Sequence, residues 1–214
     1  MTDWLAYFTA SRRNLFKQSL ANRRLIELIL ERTPAGGRVL EAGCGTGLLS
    51  IILSTCGFDV VALDREPRLF AYAPEMLGLD SRKVRFVEGD LFALRGQFDA
   101  GSFDTACHSG VLEHFSDDQI VAGLAEQRAV ARRVIFRIPN GRNRMTSQSF
   151  GDERYLDNGH WVRLIRGSGF SRVQVFGDYD LPRAFYFMLP GFCFHRRFSG
   201  WWKWASPHTV FVCE

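Results

Sequence analysis

Apolar positions through residues 12–32 (Leu15, Phe16, Leu20, Leu25, Ile26, Leu28, Ile29) recur among Arg, Lys and Glu at the spacing of an amphipathic helix. Thr33-Pro34 and the pair Gly36-Gly37 stop it. Beyond that point the pattern changes to short apolar runs separated by mixed segments. Runs at 38–41, 59–64, 84–87, 103–107 and 133–138 predict five strands, the last ended by Pro139, and 173–176 and 209–212 predict two more. Between them, 48–55 closed by Gly57 predicts a helix, and a segment whose second residue is Pro67 predicts another, cut short by Pro74. Ser116 with Gln119 three residues on forms a capping-box signature, with Asp117 and Asp118 in the first turn of the helix it opens. A last helix is expected over 159–167. Strands alternating with helices predict an α/β fold whose seven-stranded, mostly parallel sheet is covered on both faces.

Composition narrows the class. With 214 residues, 46% hydrophobic and 23% charged, the chain suits one globular domain over 1–214, in which 1–35 forms a helical cap and 180–206 an insertion between the last two strands. The net charge of +4 is too mild to demand an anionic partner, and nucleic acid is not expected as one. No apolar run approaches the roughly 20 residues that span a bilayer. Met1-Thr2-Asp3-Trp4 lacks the basic start of a signal peptide. The five cysteines (Cys44, Cys56, Cys107, Cys193, Cys213) are scattered and show no C-x-x-C spacing, so neither a disulfide framework nor a metal site is expected, and a cytoplasmic location fits.

The chemistry concentrates in Val39-Leu40-Glu41-Ala42-Gly43-Cys44-Gly45-Thr46-Gly47. A glycine-rich turn between a first strand and a helix lets backbone amides approach a ligand in the crevice beyond the strand ends. The spacing is G-x-G-x-G after an acidic residue, not the G-x-G-x-x-G of dinucleotide sites. Here the sequence resembles the class I S-adenosylmethionine-dependent methyltransferases, whose first motif reads hh(D/E)hGxGxG, h being apolar. Asp64 follows about 20 residues past the turn, where an acidic side chain would accept hydrogen bonds from ribose hydroxyls. Glu88-Gly89-Asp90-Leu91 and the stretch from Phe103 through His108-Ser109-Gly110-Val111-Leu112-Glu113-His114 resemble the family's next two segments, so the likeness covers about half the chain.

That resemblance implies a Rossmann-like three-layer sandwich with an N-terminal helical cap, binding S-adenosylmethionine and releasing S-adenosylhomocysteine. It implies cofactor contacts from Glu41, Gly43, Cys44, Gly45, Gly47, Asp64, Arg65, Asp90, Leu91 and His108, with Asp90 on the adenine amino group. The expected reaction methylates an O or N nucleophile of a small molecule or lipid-like metabolite. His108 and His160 are candidate bases, because a protonated nucleophile benefits from one; His114 reads as structural. Trp4, Tyr7, Phe8, Tyr155 and His160 are candidate pocket residues. Where base-modifying enzymes carry (N/D/S)-P-P-(Y/F), this chain has His108-Ser109-Gly110-Val111, which argues against DNA amines and glutamine amides.

The stretch 181–213 contains no Asp or Glu but holds Arg183, Arg196, Arg197 and Lys203 among nine Phe, Tyr and Trp residues between 185 and 204. Three expectations compete for 185–204: a lid packed on the sheet, a homodimer interface, and a peripheral membrane or lipid contact. Two rival functions stand beside methyl transfer. One is an NAD(P)-dependent oxidoreductase, which lacks its glycine spacing and a Tyr-x-x-x-Lys pair here. The other is a non-catalytic cofactor-binding partner subunit.

Overall fold

The computed structural model of the chain describes residues 20–70, 72–140, 153–178 and 208–214. Trp4, Tyr7 and Phe8, the helical turns expected from residue 12 to 19, and the whole insertion 180–206 lie outside the described residues, and with them the three expectations for 185–204.

Seven strands, β1 (Arg38–Ala42), β2 (Asp59–Asp64), β3 (Val84–Glu88), β4 (Thr105–Ser109), β5 (Val134–Pro139), β6 (Val173–Gly177) and β7 (His208–Cys213), form one sheet in the order β3-β2-β1-β4-β5-β7-β6. β1 to β5 run parallel, and β7 lies antiparallel between β5 and β6. The order reverses between β1 and β4, so the carboxyl ends of these two neighbours open the crevice where ligands of such sheets sit. β5 is buried at all six positions, which is why its sequence reads as one apolar run interrupted only by Arg137.

Helices α1 (Arg23–Arg32) and α2 (Leu48–Thr55) cover one face. Leu25, Leu28 and Ile29 of α1, at spacings of three and four, meet Val39, Val60, Cys107 and Ile135 there. A short helix, α3 (Tyr72–Leu77), follows β2. Helices α4 (Asp117–Val130) and α5 (Asn158–Gly167) cover the other face, packing Ile120, Leu124, Trp161 and Ile165 on Leu40, Ala106, Phe136 and Phe211. Burying one such side chain contributes about 1.5–3 kcal/mol, so these two layers hold the sheet rigid beneath the crevice. Among the described residues no helix is long and apolar enough to cross a membrane.

The structure departs from the sequence expectation in three places. Pro67 opens a single 3-10 turn (Pro67–Leu69), and Pro74 lies in the first turn of the separate helix α3, where its missing N–H costs nothing. A 3-10 segment, Leu91–Gly96, follows β3 unannounced by periodicity. β4 starts at Thr105, not at 103, because Phe103 only bridges Ala131 and Asp104 turns its carboxylate to the Arg38 N–H at 3.0 Å. The shift carries His108 into the strand.

Candidate functional site

The glycine turn sits at the carboxyl end of β1, and its backbone shows why glycine is needed. Gly43, Gly45 and Gly47 have φ of 83°, 52° and 71°. A Cβ on Gly43 would lie 2.9 Å from Val111 Cγ2, and one on Gly47 would lie 2.4 Å from Phe86 Cε1, so β3 and the segment after β4 close directly onto the bare turn. The Gly43 and Cys44 N–H groups donate to the Leu63 carbonyl at 2.7 and 2.9 Å. The Cys44 side chain is buried in the layer beneath, and burial pushes its thiol well up, so only its backbone faces the turn's chemistry.

Asp64 ends β2 and holds this turn from the side. Its Oδ2 accepts from the Gly45 N–H at 2.7 Å and its Oδ1 from the Glu66 N–H at 3.0 Å. Each carboxylate oxygen has a second lone pair, so the group keeps acceptor capacity for a ligand. The Asp64 carbonyl also takes the Gly89 N–H at 3.0 Å, tying the end of β2 to the Glu88-Gly89-Asp90 segment. Asp90 caps the 3-10 segment through the Phe92 N–H at 2.9 Å, and the exposed Arg65 stands 4.0 Å from its Oδ2. Leu91 is buried behind them. The sequence-predicted set Gly43, Cys44, Gly45, Gly47, Asp64, Arg65, Asp90 and Leu91 therefore comes together along the carboxyl ends of β1, β2 and β3.

Glu41 lies beneath the turn, 4% exposed, and its carboxylate accepts from Ser50 Oγ of α2 at 2.5 Å. Burial pushes its pKa up to about 8, Ser50 pulls it down, and the negative charge of Asp64 raises it further. The sign of the stability effect follows. From its usual value near 4.5 to about pH 8 the carboxyl is ionised in the unfolded chain and protonated in the folded one. Its contribution is therefore lost as pH rises, at about 1.4 kcal/mol per pH unit. Glu41→Gln removes that dependence: the stability of the variant relative to wild type, from urea titrations, is expected to grow by about 3 kcal/mol between pH 5 and 7.5. A difference independent of pH would show that Glu41 is ionised in the native state.

Two predicted residues stand elsewhere. His108, expected at the opening of β4 as cofactor contact and candidate base, is fully buried, with neither ring nitrogen hydrogen-bonded and its ring stacked 4.7 Å from that of Phe136. Burial lowers its pKa to about 3. Alternation along β4 turns it to the face covered by α4 and α5, so its ring meets core side chains and the base role does not fit. His160 is held by Asp117 Oδ2 at 2.8 Å, a carboxylate that also receives Arg154 Nη2 at 2.6 Å. These bonds clasp the amino ends of α4 and α5 and draw the Asp117 carboxyl below its ordinary range. Tyr155 donates to Glu153 Oε2 at 2.5 Å. His114 lies in a 3-10 turn, Leu112–His114, away from the strand.

Sequence reasoning placed Ser109 where β4 opens but missed its partner Asn22 and the charged cluster at the carboxyl end of β5. Ser109 Oγ donates to Asn22 Oδ1 at 2.7 Å, joining β4 to the start of α1. Arg137 of β5 donates through Nε and Nη2 to Asp178 Oδ2 at 3.1 and 2.9 Å, both side chains nearly fully buried. His208 Nδ1 lies 3.8 Å from the same oxygen. A charged residue inside the apolar run 133–138 was the one signal available.

Comparison with known proteins bears on this arrangement. Residues 39–133 match the family model described as a methyltransferase domain. The magnesium-protoporphyrin O-methyltransferase of Rhodobacter capsulatus is 44% identical over 77 residues, 34% of this chain and 34% of that protein. The ubiquinone biosynthesis O-methyltransferase of Xanthomonas axonopodis pv. citri is 42% identical over 89 residues, 39% of this chain and 35% of the relative. The chain thus spans about a third of the length of the curated relatives it matches. The crystal structure of magnesium protoporphyrin IX methyltransferase from Synechocystis, with bound S-adenosylmethionine, superposes with a TM-score of 0.59 at 19% identity, covering 94% of this chain and 80% of that one. At that identity the likeness speaks for the fold.

Proposed function

Because residues 39–133 match a methyltransferase-domain family model, we propose that the chain is a class I S-adenosylmethionine-dependent methyltransferase, which transfers a methyl group from that cofactor to an oxygen or nitrogen nucleophile of a small molecule or lipid-like metabolite. The observation that carries the reading is the turn Gly43–Gly47: three glycines at positive φ, closed on by Val111 and Phe86, with Gly45 pinned by Asp64.

The residues present fit the cofactor. Side chains at Gly43 and Gly47 would collide with Val111 and Phe86, so the turn at the carboxyl end of β1 stays bare backbone, which suits an amino-acid moiety of the cofactor. Asp64, with its spare lone pairs at the end of β2, would take the ribose hydroxyls, and Asp90 the adenine amino group, with Arg65 and Leu91 beside the ring. Glu41 supports the turn through Ser50 and lies too deep for direct contact. When bound, the cofactor supplies an electrophilic methyl carbon on a sulfonium, displaced by the acceptor's lone pair. What remains for the protein is to orient the acceptor and exclude water. Ser109 and Asn22, at the end of β4 and the start of α1, stand on the acceptor side, and Tyr155 and His160 are pocket residues at the amino end of α5.

The curated relatives' names support an O-linked acceptor: one acts on magnesium-protoporphyrin and the other in ubiquinone biosynthesis. The test is to incubate the protein with methyl-labelled cofactor and separated cell fractions. Label in the small-molecule or organic-soluble fraction is the expected result. Label confined to nucleic acid or protein would overturn the reading, and cofactor binding with no transfer to any fraction would favour a non-catalytic partner subunit.

A further inference from the structure

The polar cluster at the far end of β5 has no part in holding the cofactor. Arg137, 8% exposed, is neutralised by Asp178, and His208 at the first position of β7 turns its buried Nδ1 toward the same Asp178 oxygen at 3.8 Å. That distance is an electrostatic contact, longer than a hydrogen bond. Strand register fixes the place. Arg137 is paired with Ser109 on β4 and with Val210 on β7, and the Asp178 N–H donates to the His208 carbonyl at 3.3 Å. The cluster therefore occupies the carboxyl ends of β5 and β6, next to Ser109, on the acceptor side of the β1/β4 crevice. It shares its face with α1, whose Asn22 meets Ser109 and whose Arg24 guanidinium lies 5.3 Å from the Phe176 ring.

The electrostatics of the ring are specific. A carboxylate facing Nδ1 favours the tautomer with the proton there, which leaves the Nε2 lone pair turned away from the ion pair. Burial, and then the positive charge of Arg137, lower the His208 pKa to about 3, so the ring stays neutral at physiological pH. A buried ion pair is weak as a device for stability alone. Here it sets a carboxylate beside an imidazole at a sheet end, which biases the ring's orientation and tautomer.

We propose that His208, oriented by Asp178 and Arg137, binds the methyl acceptor by taking a hydrogen bond at Nε2 from the acceptor's hydroxyl group. This rests on the methyltransferase reading and narrows its substrate to neutral hydroxyl compounds. In the transfer the oxygen–carbon bond forms, the carbon–sulfur bond breaks with its electron pair staying on sulfur, and the hydroxyl proton leaves through Nε2 to bulk water. The ring orients the hydroxyl and keeps no proton. The methylated product has no donor for Nε2, so the same contact that binds substrate favours release of product.

The test uses the full chain saturated with S-adenosylhomocysteine and two probes of matched shape, phenol and anisole. Phenol is expected to bind and to shift the His208 Nε2 nitrogen resonance, with anisole at least about tenfold weaker. His208→Phe should erase the preference and His208→Gln, whose amide oxygen also accepts, should keep part of it, with S-adenosylhomocysteine affinity unchanged in both. No phenol binding, equal binding of the two probes, or a preference that survives in His208→Phe overturns the proposal and leaves the methyltransferase reading intact. Failure of the wild type to bind S-adenosylhomocysteine overturns both.

Discussion

Asp64→Ala should weaken S-adenosylhomocysteine binding by at least about 100-fold. Hydrogen bonds to a charged acceptor are each worth about 1.5–3 kcal/mol, and two ribose hydroxyls would lose theirs together. The loss extends beyond direct contact, because Asp64 also fixes the Gly45 and Glu66 N–H groups at 2.7 and 3.0 Å. Without it the turn loses the bond that sets its glycine conformation. Asp64→Asn retains one oxygen and should fall between the two. Calorimetric titration of all three proteins decides the matter, and equal affinities would place the cofactor somewhere other than this crevice.

Asp178→Ala should lower stability by about 3–5 kcal/mol, because it strands the Arg137 guanidinium with its charge unmatched. The two side chains are 5% and 10% exposed, so water cannot replace the lost partner in place. For a chain of this size that corresponds to a fall in Tm of about 6–20 °C. Replacing both residues with apolar ones of similar volume should recover much of the stability while leaving His208 without its orienting carboxylate. Thermal melts by circular dichroism distinguish these outcomes. An Asp178→Ala melt that superimposes on wild type would show the pair to be solvated.

The parts of the fold that were legible in the sequence are those marked by local chemistry. α2 has the expected bounds because the glycine turn and Gly57 punctuate its two ends, and β2 starts as expected just after Gly57. The helix after Ser116 begins where its capping box places it, with Ser116 and Gln119 bonded reciprocally. The nearness of Gly43–Gly47, Asp64 and Asp90 was legible for the same reason: each lies at or just past a strand end, and topology brings those ends together. Long-range pairing was not. Arg137 and Asp178 are 41 residues apart, and His208 joins them from a different strand, β7. His108 shows how sensitive such inference is to register. Placing β4 at 103–107 leaves His108 past its end, whereas the observed start at Thr105 makes it a strand residue, stacked against Phe136.

Calorimetry on the full chain measures directly which ligand the glycine turn admits. S-adenosylhomocysteine should bind with one-to-one stoichiometry, and NAD should give no heat. Binding of NAD, or silence toward S-adenosylhomocysteine, would contradict the account.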